Sequence, residues 1–163
     1  RTVATDYPGV VRSVVLIAAG GKVPGDREAS GALTRLYEPG LAAEERRRLM
    51  QTALFAPGSD PTPFLSLWAS VPASPRASQA AANQATPLAD WWLGGTAPML
   101  VIQGVQDRIA PAANARTLKA DAPSRVRLEE IENAGHAVLL EHPARVLDLI
   151  SDFLAEHRME ASR

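Results

Sequence analysis

In "PMLVIQGVQDRIAPAANARTLKADAPSRVRLEEI", residues Pro98 to Ile131, the hydrophobic rhythm changes twice. "PMLVIQG" is a short and almost continuous apolar run, the pattern of a strand buried on both faces. "APAANARTLKADAP" then supplies helix formers, and "SRVRLEEI" returns to a strand-length run. Further on, "HPARVLDLISDFLAEH" sets Val146, Leu147, Ile150, Phe153 and Leu154 at helical spacing, which predicts a helix with one face on a sheet. Strand, helix, strand, helix with connections this short implies parallel strands and right-handed crossovers. The fold class expected is α/β.

Working outward, "VVRSVVLIAAGG" from Val10 is a second β-branched run, closed by Gly20-Gly21, and reads as another buried strand. Before it, Val3, Ala4 and Tyr7 share one helix face until Pro8-Gly9 stops the pattern, so Arg1 to Tyr7 reads as the tail of a helix. The chain begins without methionine, signal region or polar lead-in, as a fragment or processed piece of a longer protein would. Residues 22–95 differ in texture, because eight prolines divide them into short pieces. Leu41 to Phe55 and Ser78 to Gln84 are the helices expected there, and Ala56 to Arg76 is expected to be irregular. The division expected is a core of residues 1–21 and 96–163 with a helical insertion at 22–95.

At 163 residues the chain can bury one sizeable core, and its 46% apolar and 21% charged content is globular. No apolar run approaches a membrane span, and a formal charge of -1 without a basic stripe argues against nucleic acid as a partner. A soluble, cytoplasmic protein is expected. The absence of cysteine excludes disulfides, thiolate metal sites and cysteine nucleophiles within this chain. Three histidines without ligand-like pairing imply no metal, and no cofactor is expected.

Ligand sites of open parallel sheets form at the carboxyl ends of the strands. Asp107, after the strand Met99 to Gln103, and His136, after the strand Arg125 to Ile131, both belong at that edge. If those strands are neighbours they lie about 4.8 Å apart. A carboxylate beside an imidazole fixes the ring's tautomer and stabilises the imidazolium formed when the ring takes a proton, so His136 is a candidate general base. The plainer reading is that Asp107 caps the helix beginning near Ala110 and that His136 is a satisfied loop histidine.

"PMLVIQGVQDRIAPAANARTL" and "ENAGHAVLLEHPARVLDLISDFL" together resemble the C-terminal part of the α/β-hydrolase superfamily, in which the triad acid follows one late strand and the histidine the next. "RTVATDYPGVVRSVVLIAAGG" resembles the helix after the nucleophile elbow and the strand behind it, and the Pro-rich middle resembles the cap. The resemblance implies a partial α/β-hydrolase fold, parallel sheet, flanking helices and helical cap, acting on a small-molecule ester, amide or related bond. It implies Asp107 as the acid and His136 as the base. No Gly-x-Ser-x-Gly occurs in the chain, and Ser13, Ser30 and Ser59 lack the strand-turn-helix setting of a nucleophile. By analogy the nucleophile stands about seven residues before Arg1, on a sharp strand-to-helix elbow, and the chain alone would be inactive.

Other residues have plainer readings. Trp91 and Trp92 close the core beneath the insertion or, less simply, bind substrate. His142 is expected to be solvated at a helix start, His157 to sit near a helix end, and "EERRR" at Glu44 to Arg48 to form a solvated helix face. Two further accounts compete: a non-catalytic ligand-binding or interaction protein of the same fold, and an inactive truncated fragment.

Overall fold

The computed structural model describes residues 1–69 and 74–157. In chain order they form α1 (Thr2–Asp6), β1 (Val14–Ile17), α2 (Arg27–Arg35), α3 (Ala43–Ala53), a 3-10 turn (Thr62–Phe64), α4 (Leu65–Ala69), α5 (Ser74–Ala85) and α6 (Leu88–Trp91). β2 (Met99–Gly104), α7 (Ala112–Asp121), β3 (Val126–Ile131), α8 (Val138–Glu141) and α9 (Pro143–Glu156) complete them. The strands make one parallel sheet in the order β1-β2-β3, with Val14 beside Met99, Met99 beside Val126, and Gly104 beside Ile131. This is an α/β fold with helices on both faces of the sheet.

β2 is buried at all six positions, because it has a neighbour on each edge and a helical layer on each face. Leu100 and Ile102 pack with Val138, Val146, Leu149 and Phe153, the layer of α8 and α9. Met99 and Val101 point the other way, onto Trp92, Ala115, Leu118 and Ala122 near α6 and α7. A third apolar cluster joins α2 to α3 through Ala32, Leu36, Leu49, Met50 and Leu54, and it reaches Ile109 and Ala137 in the loops after β2 and β3.

Several elements depart from the sequence expectation. β1 starts at Val14 rather than Val10, since Tyr7 to Val10 turns and Val10 is left 75% exposed before the first ladder bond, Val14 N–H to the Pro98 carbonyl. In α9 the buried face is Val146, Leu149 and Phe153, whereas Leu147 and Leu154 are exposed. The stretch Ala56 to Arg76 is not wholly irregular: the 3-10 turn and α4 lie in it, α5 begins at Ser74, and positions 70–73 lie outside the described residues. The proline at the start of that 3-10 turn has the fixed φ that a first helical turn needs, so it initiates rather than breaks. The expected Ser78 to Gln84 helix is the body of α5.

Arg1 ties α1 to the sheet. Its guanidinium lies 4.4 Å from the Trp91 ring centre and donates to the Gly20 carbonyl at 2.7 Å, and burial pulls its pKa down to about 10. Among the described residues no helix is long and apolar enough to cross a membrane.

Phe153 is 2% exposed in the α9 layer. Phe153→Ala is expected to lower unfolding stability by about 3–5 kcal/mol through lost burial and a residual cavity, read from urea midpoints; a loss below about 1 kcal/mol would contradict this packing.

Candidate active site at the carboxyl edge of the sheet

Register decides where the two polar loops emerge. Because Gly104 pairs with Ile131, β2 and β3 end level, and the loops that follow are stitched together. Val105 N–H donates to the Ile131 carbonyl at 3.0 Å, Gln106 N–H to the Ala134 carbonyl at 2.9 Å, and Ala134 N–H to Gln106 Oε1 at 3.1 Å. The backbones touch so closely that a Cβ on Gly104 would strike the Ala134 carbonyl oxygen at 2.5 Å. Glycine is required there by space alone.

Within this frame Asp107 is buried and its two oxygens serve different partners. Oδ1 accepts the N–H groups of Ile109 at 2.8 Å and Ala110 at 2.7 Å, closing the turn that leads into α7. Oδ2 lies 3.0 Å from His136 Nδ1. A carboxylate only accepts, so Nδ1 carries the hydrogen and donates, leaving Nε2 as the basic nitrogen. The expected pair is therefore brought together, whereas the expected helix cap is not: α7 begins at Ala112 with Pro111 as its N-cap and no side-chain cap bond, and Asp107 closes the turn ahead of it.

His136 is held from behind by the segment between β1 and β2. Ala137 N–H donates to the Leu54 carbonyl at 2.8 Å, at the end of α3. Glu141 bridges the same two segments, with Oε1 accepting from Ala56 N–H at 2.8 Å and Oε2 from Gly135 N–H at 2.7 Å. Gly135 has no room for a side chain, since a Cβ would meet the Leu54 carbonyl oxygen at 2.5 Å. On the acid side, Asp26 N–H donates to the Arg108 carbonyl at 2.8 Å, and the Arg108 guanidinium bonds Asp26 at 2.6 Å and Glu28 at 2.8 Å. The Ala29 amide bonded to Asp26 first, and Arg108 second, hold the Asp26 carboxyl below its usual range.

His136 opens onto a cavity of about 650 Å³ between these loops and the helical segment. Its apolar wall includes Leu33, Met50, Leu54, Phe64, Ile109 and Leu140, while Tyr37, Gln79 and Asn83 supply polar groups. A space this size suits a small organic molecule. Among the described residues lining it, none but a protonated His136 would carry charge.

The tryptophans lie elsewhere. Trp92 is buried against Met99 and Leu118 with its indole N–H donating to Asp121 at 2.7 Å, and Trp91 lines a neighbouring cavity with Arg1, Gln79 and Asn83. Neither lines the His136 cavity. His142 stands at the start of α9, where its Nε2 bonds the Asn133 carbonyl at 2.9 Å instead of being merely solvated. His157 follows α9, its Nδ1 2.7 Å from the Phe153 carbonyl. The Glu44 to Arg48 run pairs with itself, Glu44 with Arg47 and Glu45 with Arg48, on a solvated helix face. Among the described residues no group of three or more His, Asp or Glu side chains is placed to hold a metal ion.

Gln103 and Glu141 join the site without a motif to mark them in the sequence. A fully buried glutamine within an apolar strand is visible in the sequence as an anomaly, but the partners of Glu141 are backbone amides from distant segments, which no local pattern announces.

Comparison with known proteins bears on the family and the fold. The model of the Alpha/beta hydrolase family matches residues 2–149. A 2-hydroxymuconate semialdehyde hydrolase from Pseudomonas sp. (strain CF600) is 44% identical over 57 residues, which are 35% of this chain and 20% of that protein. A monoacylglycerol lipase, ABHD6, from Mus musculus is 40% identical over 58 residues, 36% of this chain and 17% of that protein. Among solved structures, Rv0554 from Mycobacterium tuberculosis superposes with a TM-score of 0.68 at 24% identity, covering 96% of this chain and 61% of its own. The esterase RhEst1 from Rhodococcus sp. ECU1013 gives 0.67 at 19%, covering 96% and 60%. The chain thus spans about three fifths of these solved structures.

Two outcomes test the architecture. Gly135→Ala should cost about 1–3 kcal/mol by forcing Leu54 to Ala56 off the histidine loop, and an unchanged urea midpoint would refute the close approach. Asp26 is depressed by its partners, so its contribution is present above the ordinary carboxylate pKa and is lost as pH falls through the lower folded value. The melting difference between the parent and Asp26→Ala should therefore be full at pH 7 and narrow below about pH 4; a gap that widens toward acid would contradict the assignment.

Proposed function

The chain belongs to the alpha/beta hydrolase family, and on that premise we propose that Asp107 and His136 are the acid and base of a nucleophile-histidine-acid relay. The nucleophile stands in a segment preceding Arg1, and residues 22–95 form the cap over the site. The reaction is hydrolysis of an ester, amide or related bond in a small molecule.

The observation that carries this reading is the 3.0 Å contact between His136 Nδ1 and Asp107 Oδ2, at the carboxyl edge of a parallel sheet and beside a cavity. His136 Nε2 would take the nucleophile's proton as the nucleophile adds to the substrate carbonyl. The imidazolium so formed is stabilised by Asp107 and returns that proton to the leaving group. The same nitrogen then deprotonates a water molecule that adds to the acyl carbon, and it returns that proton to the nucleophile as the acyl–nucleophile bond breaks and the acid is released. The apolar cavity wall supports a substrate with an uncharged, largely apolar part, and the names of the relatives, a semialdehyde hydrolase and a lipase, fit hydrolysis of small organic molecules.

The test uses the complete protein, with whatever precedes Arg1 in its coding sequence, and p-nitrophenyl butyrate as probe. His136→Ala is expected to lower kcat by about 10⁶-fold with the fold intact. Near-parental turnover by that variant would sink the relay. The residue at the elbow separates this from the binding-protein account, since Ser, Cys or Asp there is competent and Ala or Gly is not.

A further inference from the structure

Gln103 is the one residue of β2 whose buried side chain is polar, and it is 0% exposed. Its Nε2 lies 3.0 Å from Asp107 Oδ2 and 2.9 Å from the Ala110 carbonyl, with a longer 3.3 Å approach to the Gly104 carbonyl. All three partners are acceptors. The amide orientation is thereby settled, because turning it over would set the Gln103 oxygen against a carboxylate and two carbonyls. In the orientation that remains, Oε1 is buried and finds no donor among the described residues. Buried polar atoms are ordinarily paired, and an unpaired one in an otherwise apolar strand points to a demand at the other end of the same group.

That demand is Asp107. Its Oδ1 is filled by the Ile109 and Ala110 N–H groups, and its Oδ2 receives His136 on one side and Gln103 on the other. Without Gln103 the second acceptor position of Oδ2 would be open, and the carboxylate could rotate away from the line to His136 Nδ1. An amide supplies the donor without adding a charge or a titrating proton, which lysine or histidine would do. The Ala110 carbonyl takes the amide's second hydrogen, tying the same side chain to the start of α7.

We infer that Gln103 is a positioning residue for hydrolysis: it holds Asp107 Oδ2 in line with His136 Nδ1 and keeps the carboxylate in a single rotamer. This rests on the relay proposed above, and it acts through Asp107 without touching substrate.

The experiment compares the complete protein with Gln103→Met, which keeps length and volume but has no donor, and with His136→Ala as reference. p-Nitrophenyl butyrate hydrolysis gives kcat and KM, and proton NMR follows the far-downfield Nδ1–H resonance of His136. The expectation for Gln103→Met is a kcat about tenfold lower with KM within twofold, and a displaced or exchange-broadened Nδ1–H signal, with some loss of melting temperature because the buried Ala110 carbonyl loses its donor. Parental kcat together with an unmoved Nδ1–H signal would overturn the inference while leaving the relay standing. Parental turnover in His136→Ala would instead remove the relay itself, and an unmoved resonance in Gln103→Met would then overturn the positioning role independently. If Gln103→Met does not fold, Gln103→Leu, which also lacks the donor, is judged by the same two readouts.

Discussion

Everything at the site follows from β2 lying between two parallel neighbours in a register that ends β2 and β3 at the same level. A strand with both edges paired and both faces covered has no freedom to slide, because a one-residue slip would turn Leu100 and Ile102 from one helical layer to the other. The fixed level then delivers the Asp107 and His136 loops side by side, close enough for backbone to bond backbone. Side-chain chemistry is the last step of that sequence of constraints.

The helical segment between β1 and β2 is attached to both loops, at Asp26 and Glu28 through Arg108 and at Leu54 to Ala56 through Gly135, Ala137 and Glu141. Its apolar cluster includes Ile109 and Ala137, each two residues or fewer from the acid or the base. The wall of the cavity and the placement of its polar pair are therefore parts of one packing arrangement.

The regular half of the fold was legible because its periods are clean: the apolar run of β2 and the helical spacing in α9 need no knowledge of partners. What depends on partners was not. Val10 and Val11 look like strand residues, yet β1 extends only where β2 is present to bond it. Leu147 and Leu154 keep helical spacing without being buried, since which part of an apolar face is covered depends on what packs there. α2 is hidden in the sequence although Asp26 caps it and Ala29, Ala32 and Leu36 line one face, because Gly31 and the surrounding prolines favour loops in any local reading. At the site, the strand-end positions announced Asp107 and His136; Gln103 and Glu141 acquire meaning only once the loops are assembled in space.

The division of labour within Asp107 has an evolutionary consequence. One oxygen closes the turn into α7 and the other meets the imidazole, so under the proposed relay the residue would answer to two selective pressures. A descendant that had lost its chemistry would still be under pressure to keep an Asp or Asn here for the turn. His136 has no such second duty among the described bonds, and its side chain would drift freely. Under the proposed relay, loss of the histidine beside a retained acid would, among divergent copies of this fold, mark a chain that has given up its reaction while keeping its shape.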